Sequence, residues 1–315
     1  MKVRYLTLFL VFSFCFSHTQ NGKIISKEVY KLHDTIMSRL KGNEHILEVL
    51  DKVKFSKIIY LSDGLRVTGY ISEPKKEGVY PCIIANRGGN REFGAWNPYG
   101  IAFFLGEMAS WNYVVVASQY RGNDGGEGQE EFGGKDVNDV LNLIPLLKEL
   151  PNADTSRIGI EGGSRGGMMT YLALKRTCDF KAAAVVAGAA DSFTNITSRP
   201  EMEKYVYSEL IPNYFENKEK ELKTRSAIFW ADEMCKTTPL LILHGSADWR
   251  VLPTESMTLV NKLYEAKHPT RFILFEGADH GIREYRSEVF AQVKRHFDYY
   301  VRDLGKLPNM EPHGR

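Results

Sequence analysis

From residue 81 onward, short continuous apolar runs alternate with stretches whose apolar residues recur every three or four positions. The runs at 82–85, 113–117, 157–161, 182–187, 240–243 and 271–275 predict strands. The stretches between and after them predict helices near 98–110, 135–149, 165–177, 255–266 and 284–303. Strands without polar alternation, separated by helices, are expected to form a mostly parallel, doubly wound sheet buried on both faces, hence an α/β fold. Residues 190–238 break the rhythm. They carry many charges, Lys218, Glu219, Lys220 and Glu221 among them, and no strand-like run. They are expected to form a mostly helical insertion over one end of the sheet, before the strand at 240–243.

Ahead of this pattern, Ile24, Ile25, Val29, Leu32, Ile36, Leu40, Ile46, Leu47 and Leu50 recur at helical spacing. This predicts one or two amphipathic helices, an N-terminal helical segment over 20–55. Apolar runs at 57–61 and 65–71 flank Ser62-Asp63-Gly64, a hairpin with Asp-Gly at its tip. The main α/β domain is expected over 56–305, followed by a tail at 306–315. Neither an internal repeat nor a Pro/Gly/Ser-rich linker divides it.

The first nineteen residues read differently. Lys2 and Arg4 precede a mostly apolar run from Tyr5 to Phe16, and small residues follow at Ser17 and Thr19. A spanning helix needs about 20 apolar residues. The shorter run predicts a cleaved signal peptide and a secreted or periplasmic protein, with no membrane association after cleavage.

Composition narrows the function class. With 43% hydrophobic and 25% charged residues in 315, the chain has the balance of a folded globule with a sizeable core. A formal charge of +2 falls to 0 once Lys2 and Arg4 leave, and no Lys/Arg block tracks phosphates, so no nucleic-acid partner is expected. Of four cysteines, Cys15 leaves with the leader. Cys82 reads as a buried small hydrophobe, and whether Cys178 and Cys235 pair is left open. There is no Cys-x-x-Cys or His-x-x-x-His spacing, so neither metal nor organic cofactor is expected.

The chemistry concentrates at Gly162-Gly163-Ser164-Arg165-Gly166, between a predicted strand and a predicted helix. Gly-x-Ser-x-Gly in that context is a nucleophile elbow: the turn is so tight that side chains two before and two after the serine would clash. This marks an α/β-hydrolase fold with Ser164 as nucleophile. A serine needs a base, and the base needs a carboxylate; in this fold they follow in the order Ser, Asp, His. Asp248 lies in the loop after the 240–243 strand and His280 in the loop after the 271–275 strand. Both loops leave the carboxyl ends of parallel strands, where such sheets bind ligands. His33, His45, His268, His296 and His313 read as solvated surface residues, His244 as ordering its own loop, and Asp279 as too close to His280 to orient it. The oxyanion donors are expected to be the N–H of Arg165 and the loop Arg87-Gly88-Gly89, through Gly88 or Gly89, each worth about 3–4 kcal/mol in the transition state.

Taken together, these pieces resemble the catalytic domain of the prolyl oligopeptidase family of serine peptidases. The resemblance runs from about residue 56 to 303. It includes Ser62-Asp63-Gly64, Arg87-Gly88-Gly89, Gln119-Tyr120-Arg121-Gly122, Gly133-Gly134-Lys135-Asp136-Val137, the elbow, and His244-Gly245-Ser246-Ala247-Asp248 with Val251 and Pro253. It places the family's serine, acid and histidine on Ser164, Asp248 and His280. It implies hydrolysis of peptide bonds in small substrates through an acyl-enzyme. Three departures bear on substrate. Arg87 stands where His or Tyr is common, Arg165 stands where an aromatic residue often follows the serine, and the stretch before the hairpin is too short for the family's β-propeller. Arg87, Arg165 and Tyr120 are therefore expected to bind substrate, the two arginines favouring an acidic group. The same triad serves a carboxylesterase or acyl esterase equally well. The reading from another class is a non-catalytic α/β-hydrolase-fold binding protein.

Overall fold

The computed structural model describes residues 20–314, so the signal-peptide reading of residues 1–19 lies outside the described residues. Nine strands form one sheet: β1 (Ile24–Val29), β2 (Val53–Ser62), β3 (Leu65–Pro74), β4 (Tyr80–Asn86), β5 (Val114–Ser118), β6 (Ala153–Gly163), β7 (Ala182–Val186), β8 (Leu240–Gly245) and β9 (Thr270–Phe275). Their spatial order is 1-2-3-5-4-6-7-8-9. Strands β5, β4, β6, β7, β8 and β9 run parallel, and β1, β2 and β3 extend the β5 side as an antiparallel edge. The predicted strands and helices from residue 81 onward are all present, with boundaries shifted by a few residues.

The region 24–29 departs from expectation. It is a strand, not a helix: Lys27, Glu28 and Val29 pair with Ile58, Lys57 and Ser56 of β2. Its apolar residues fit a helical period, but the open edge of β2 offers ladder hydrogen bonds that a free helix does not. The two helices expected after it exist, at Asp34–Leu40 and Glu44–Lys52. The β2–β3 hairpin turns at Asp63 (φ +52°) and Gly64 (φ +80°), the two left-handed positions that suit an Asp-Gly tip.

Two hydrophobic cores sandwich the sheet. On one face, Ile58, Ile84, Val116, Ile160 and Val185 pack against the helices between 137 and 147, against Arg165–Arg176 and against Pro253–Glu265. On the other, Ile83, Val115 and Ala184 pack against the helical stretch 98–110, the helix Arg286–Phe297 and the N-terminal helices. The insertion between β7 and β8 is helical throughout its regular parts. Its Val206, Tyr207, Leu210, Tyr214 and Leu222 join the first core. Cys178 and Cys235 are disulfide-bonded, tying the chain beyond the helix Arg165–Arg176 to the end of the insertion. Cys82 is buried and free.

Strand order sets the position of the site. Chain leaving β4 crosses to β5 on one side, and chain leaving β6 crosses to β7 on the other. The crevice at the carboxyl ends of β4 and β6 is therefore the topological switch point, the place where such sheets receive ligands.

Candidate active site

Strand β6 ends at Gly163, and Ser164 follows at φ +57°, ψ −123°, with a helix starting at Arg165. For a residue with a Cβ this backbone costs about 1–3 kcal/mol and persists only where neighbours impose it. Here they do. The Ser164 N–H donates to the Val186 carbonyl at 2.9 Å, and the Ser164 carbonyl accepts from the N–H groups of Gly167 (3.0 Å) and Ala189 (3.2 Å). A Cβ on Gly162 would stand 2.2 Å from the Gly166 carbonyl oxygen, and one on Gly166 would stand 2.1 Å from that of Asn86. Both flanking glycines are thus required sterically.

Three loops bring the expected residues together. Ser164 Oγ lies 3.0 Å from His280 Nε2, and His280 Nδ1 lies 2.7 Å from Asp248 Oδ2. The carboxylate fixes the tautomer: Nδ1–H donates to Asp248, leaving Nε2 to accept the serine proton. Asp248 is held from several directions. Its Oδ1 accepts from the N–H groups of Arg250 (2.8 Å) and Val251 (3.1 Å). Burial opposes its ionisation, but bonds from His244, His280 and the Val251 N–H outweigh that and hold the carboxyl far below the usual range. His244 orders its loop as expected and also touches this carboxylate. Its Nε2 faces two acceptors, Asp248 Oδ2 at 3.1 Å and the Val251 carbonyl at 3.0 Å, so Nε2 carries the proton and Nδ1 accepts from Ser256 Oγ at 2.7 Å. Asp279 accepts from the Gly281 N–H in its own loop.

The structure separates the two loop glycines. A Cβ on Gly88 would lie 3.2 Å from Ser164 Cβ and 3.9 Å from its Oγ, so this backbone abuts the nucleophile. Gly89 instead turns the loop: at φ +66° its Cβ would sit 1.9 Å from the Phe93 carbonyl oxygen. The Arg165 N–H opens a helix and has no acceptor within it. Gly88 thus brings backbone against the nucleophile, and the helix N-terminus at Arg165 favours negative charge beside it.

The side chains of Arg165, Arg87 and Tyr120 correct the substrate-binding reading. Arg165 is 2% exposed and pairs with buried Glu130 and Asp136. One of its nitrogens also donates to the Gly89 carbonyl at 3.0 Å. Arg87 is 1% exposed and donates to the carbonyls of Gln119 (3.0 and 3.1 Å) and Arg91 (3.0 Å). Tyr120 is buried between both guanidiniums, 5.0 Å from Arg87 and 4.9 Å from Arg165, and its hydroxyl donates to the Arg87 carbonyl at 2.9 Å. Tyr120 and the Arg165 side chain do not face the cavity beside Ser164. Arg87 touches its wall, but with its donors engaged by carbonyls. These groups brace the 87–91 loop from behind. Glu130 completes the brace by accepting from both Arg165 and the Arg91 N–H. Sequence reasoning missed Glu130; Asp136 stood in a quoted motif without a role.

Two histidine readings also change. His268 and His296 are buried, not solvated, and burial lowers each to a pKa of about 4. Their nitrogens reach the carbonyls of Cys235 and Pro239 respectively, at 3.2 Å.

Beside Ser164 and His280 opens a cavity of about 500 Å³, walled mainly by apolar side chains from 96–108 and 282–293. Glu161 of β6 lies on its wall. Among the described residues, no group of three or more His, Cys, Asp or Glu is placed to hold a metal ion.

Comparison with known proteins agrees with this geometry. A model described as the prolyl oligopeptidase family matches residues 102–307. The uncharacterized peptidase YtmA of Bacillus subtilis is 34% identical over 220 residues, 69% of this chain and 82% of that protein. The uncharacterized peptidase YuxL of the same organism is 30% identical over 256 residues, 76% of this chain but 36% of that protein. Among solved structures, an acylaminoacyl peptidase of Pyrococcus horikoshii superposes with a TM-score of 0.71 at 24% identity, over 85% of this chain and 45% of that one. Dipeptidyl peptidase 4 of Porphyromonas gingivalis gives 0.62 at 24% identity, over 81% and 37%. This chain thus spans less than half the length of these solved neighbours. With a family match over most of its length and a serine hydrolase's geometry at Ser164, the chain belongs to the prolyl oligopeptidase family of serine peptidases.

Proposed function

We propose that this protein hydrolyses peptide bonds of small substrates through an acyl-enzyme on Ser164. The observation that carries the reading is the unbroken relay from Ser164 Oγ to His280 Nε2, and from His280 Nδ1 to Asp248. As the serine attacks the scissile carbonyl, its proton passes to Nε2, and Asp248 stabilises the imidazolium. Negative charge then grows on the carbonyl oxygen, toward the backbone of Gly88 and the Arg165 N–H. His280 returns the proton to the leaving amine and afterwards activates water, which releases the acid. YtmA and YuxL, named as peptidases, favour the amide over the ester reading.

The protein is further proposed to be secreted or periplasmic. The leader pattern at residues 2–16 supports this, as does the Cys178–Cys235 bond, a feature of oxidising compartments.

The test is one assay comparing short peptide amides with p-nitrophenyl esters, using wild type and Ser164→Ala. Peptide turnover that disappears in Ser164→Ala supports the reading. Ester turnover alone would make the protein an esterase, and neither would point to a binding protein.

A further inference from the structure

The triad does not use Glu161, yet this carboxylate shares its cavity. It lies three residues before the nucleophile on β6, on the face that also carries Gly159 against Phe297 and Val301. It is part-buried and opens onto the cavity, and no hydrogen bond or ion pair from another side chain reaches it among the described residues. Its side chain lines the same cavity as Ser164 and His280. Around it the walls are apolar and aromatic: Trp96, Phe103, Met108, Val289, Phe290 and Val293. The other charged or titratable groups on this cavity are His280, held by Asp248, Arg87, engaged by carbonyls, Tyr99, whose hydroxyl accepts from Arg39 at 3.3 Å, and Arg286, exposed with its guanidinium 5.6 Å from the Phe104 ring. A cavity with mainly apolar walls and one unpaired carboxylate on them fits one ligand shape, an aliphatic stem with a cationic tip. The stem replaces water along the walls, aromatic faces attract the cation, and the carboxylate pairs with it.

We propose that Glu161 is a specificity-determining residue of this site, receiving the ammonium of a lysine-like side chain next to the scissile bond. The inference rests on the peptidase reading above. Strand geometry places Glu161 roughly 10 Å along the backbone from the nucleophile, within reach of a group flanking the cleaved bond. The unpaired state has a consequence of its own. Desolvation by the apolar walls pushes the carboxyl up to about 8, so Glu161 itself is neutral at low pH and anionic above that value. A cation therefore gains its partner only as pH rises, while an isosteric neutral side chain is indifferent. Such discrimination is large where a buried charge would otherwise stay unpaired.

The experiment uses acetylated alanine hexapeptides carrying one Lys or one norleucine at each position in turn, with cleavage sites and kcat/KM read by mass spectrometry. At pH 9 the Lys side chain remains charged, being near 10.4 in water. The expected result is a Lys-over-norleucine ratio of about tenfold or more at one position flanking the cleaved bond. That ratio should shrink toward one by pH 6 and collapse in Glu161→Gln. Any pH effect on the shared triad enters both peptides alike and cancels from the ratio. If Glu161→Gln fails to fold, the wild-type pH dependence decides. Equal turnover of both peptides, a ratio flat between pH 6 and 9, or a preference that survives Glu161→Gln overturns the proposal while leaving peptidase activity intact. Absence of all peptide cleavage overturns both.

Discussion

Ser164 works because its neighbours are constrained as tightly as it is. The hydroxyl projects above the sheet only at a positive φ, which Gly162 and Gly166 make sterically feasible. Behind it, Arg165 serves the site twice in different ways: its backbone opens the helix that follows the nucleophile, and its side chain donates to the Gly89 carbonyl while pairing with two buried acids. Removing that guanidinium leaves Glu130 and Asp136 as buried, uncompensated charges. Arg165→Ala is predicted to destabilise the fold by about 3–5 kcal/mol, measured by urea unfolding. Arg165→Glu adds a third acid and is expected to unfold the protein, whatever the substrate. The triad and the donor loop were legible at residue level because their spacing has a steric cause. The direction of Arg165, Arg87 and Tyr120 was not, since nothing local tells a buried guanidinium from one aimed at substrate. For Arg165 the partners that decide it are Glu130 and Asp136, and for Arg87 the carbonyls of Gln119 and Arg91.

At the level of elements, the parallel strands announced themselves by continuous apolar runs and the helices by their period. The segment 24–29 did not. Its pattern fits a helix, and only the free edge of β2 made it a strand. Likewise His268 and His296 sit in polar-looking stretches but turn inward where a loop and the helix Arg286–Phe297 meet the sheet. The Cys178–Cys235 bond closes a chain segment of 57 residues around most of the insertion. By loop-closure entropy it stabilises the fold by about 3–4 kcal/mol. Cys178→Ser/Cys235→Ser is predicted to unfold at lower urea by that amount, while dithiothreitol has no further effect on it. An unchanged midpoint would mean the bond contributes nothing.

Across the whole molecule, the two buried histidines contribute a share of acid sensitivity. Their folded pKa values, about 4, lie below the unfolded value near 6.5. Between these limits the unfolded chain binds more protons, so stability rises with pH through this window and is lost as pH falls from 6.5 toward 4. Asp248 acts lower down. Its depressed carboxyl adds stability above about pH 3.9, which is lost only as pH falls toward its own folded value. Glu161 and Glu255, raised by burial to about 8, work in the opposite sense, so the histidine share is read as a difference: from pH 7 to 4 the thermal stability of wild type should fall relative to that of His268→Gln/His296→Gln, and parallel pH profiles would contradict it. Sheet order, crevice and relay all converge on one atom, Ser164 Oγ. The most direct measurement is intact-mass and peptide mapping after treatment with a fluorophosphonate. The account predicts a single adduct on Ser164, lost in Ser164→Ala and slowed by about 10³-fold or more in His280→Ala. A folded wild type that stays unlabelled, or is labelled at another residue, would contradict it.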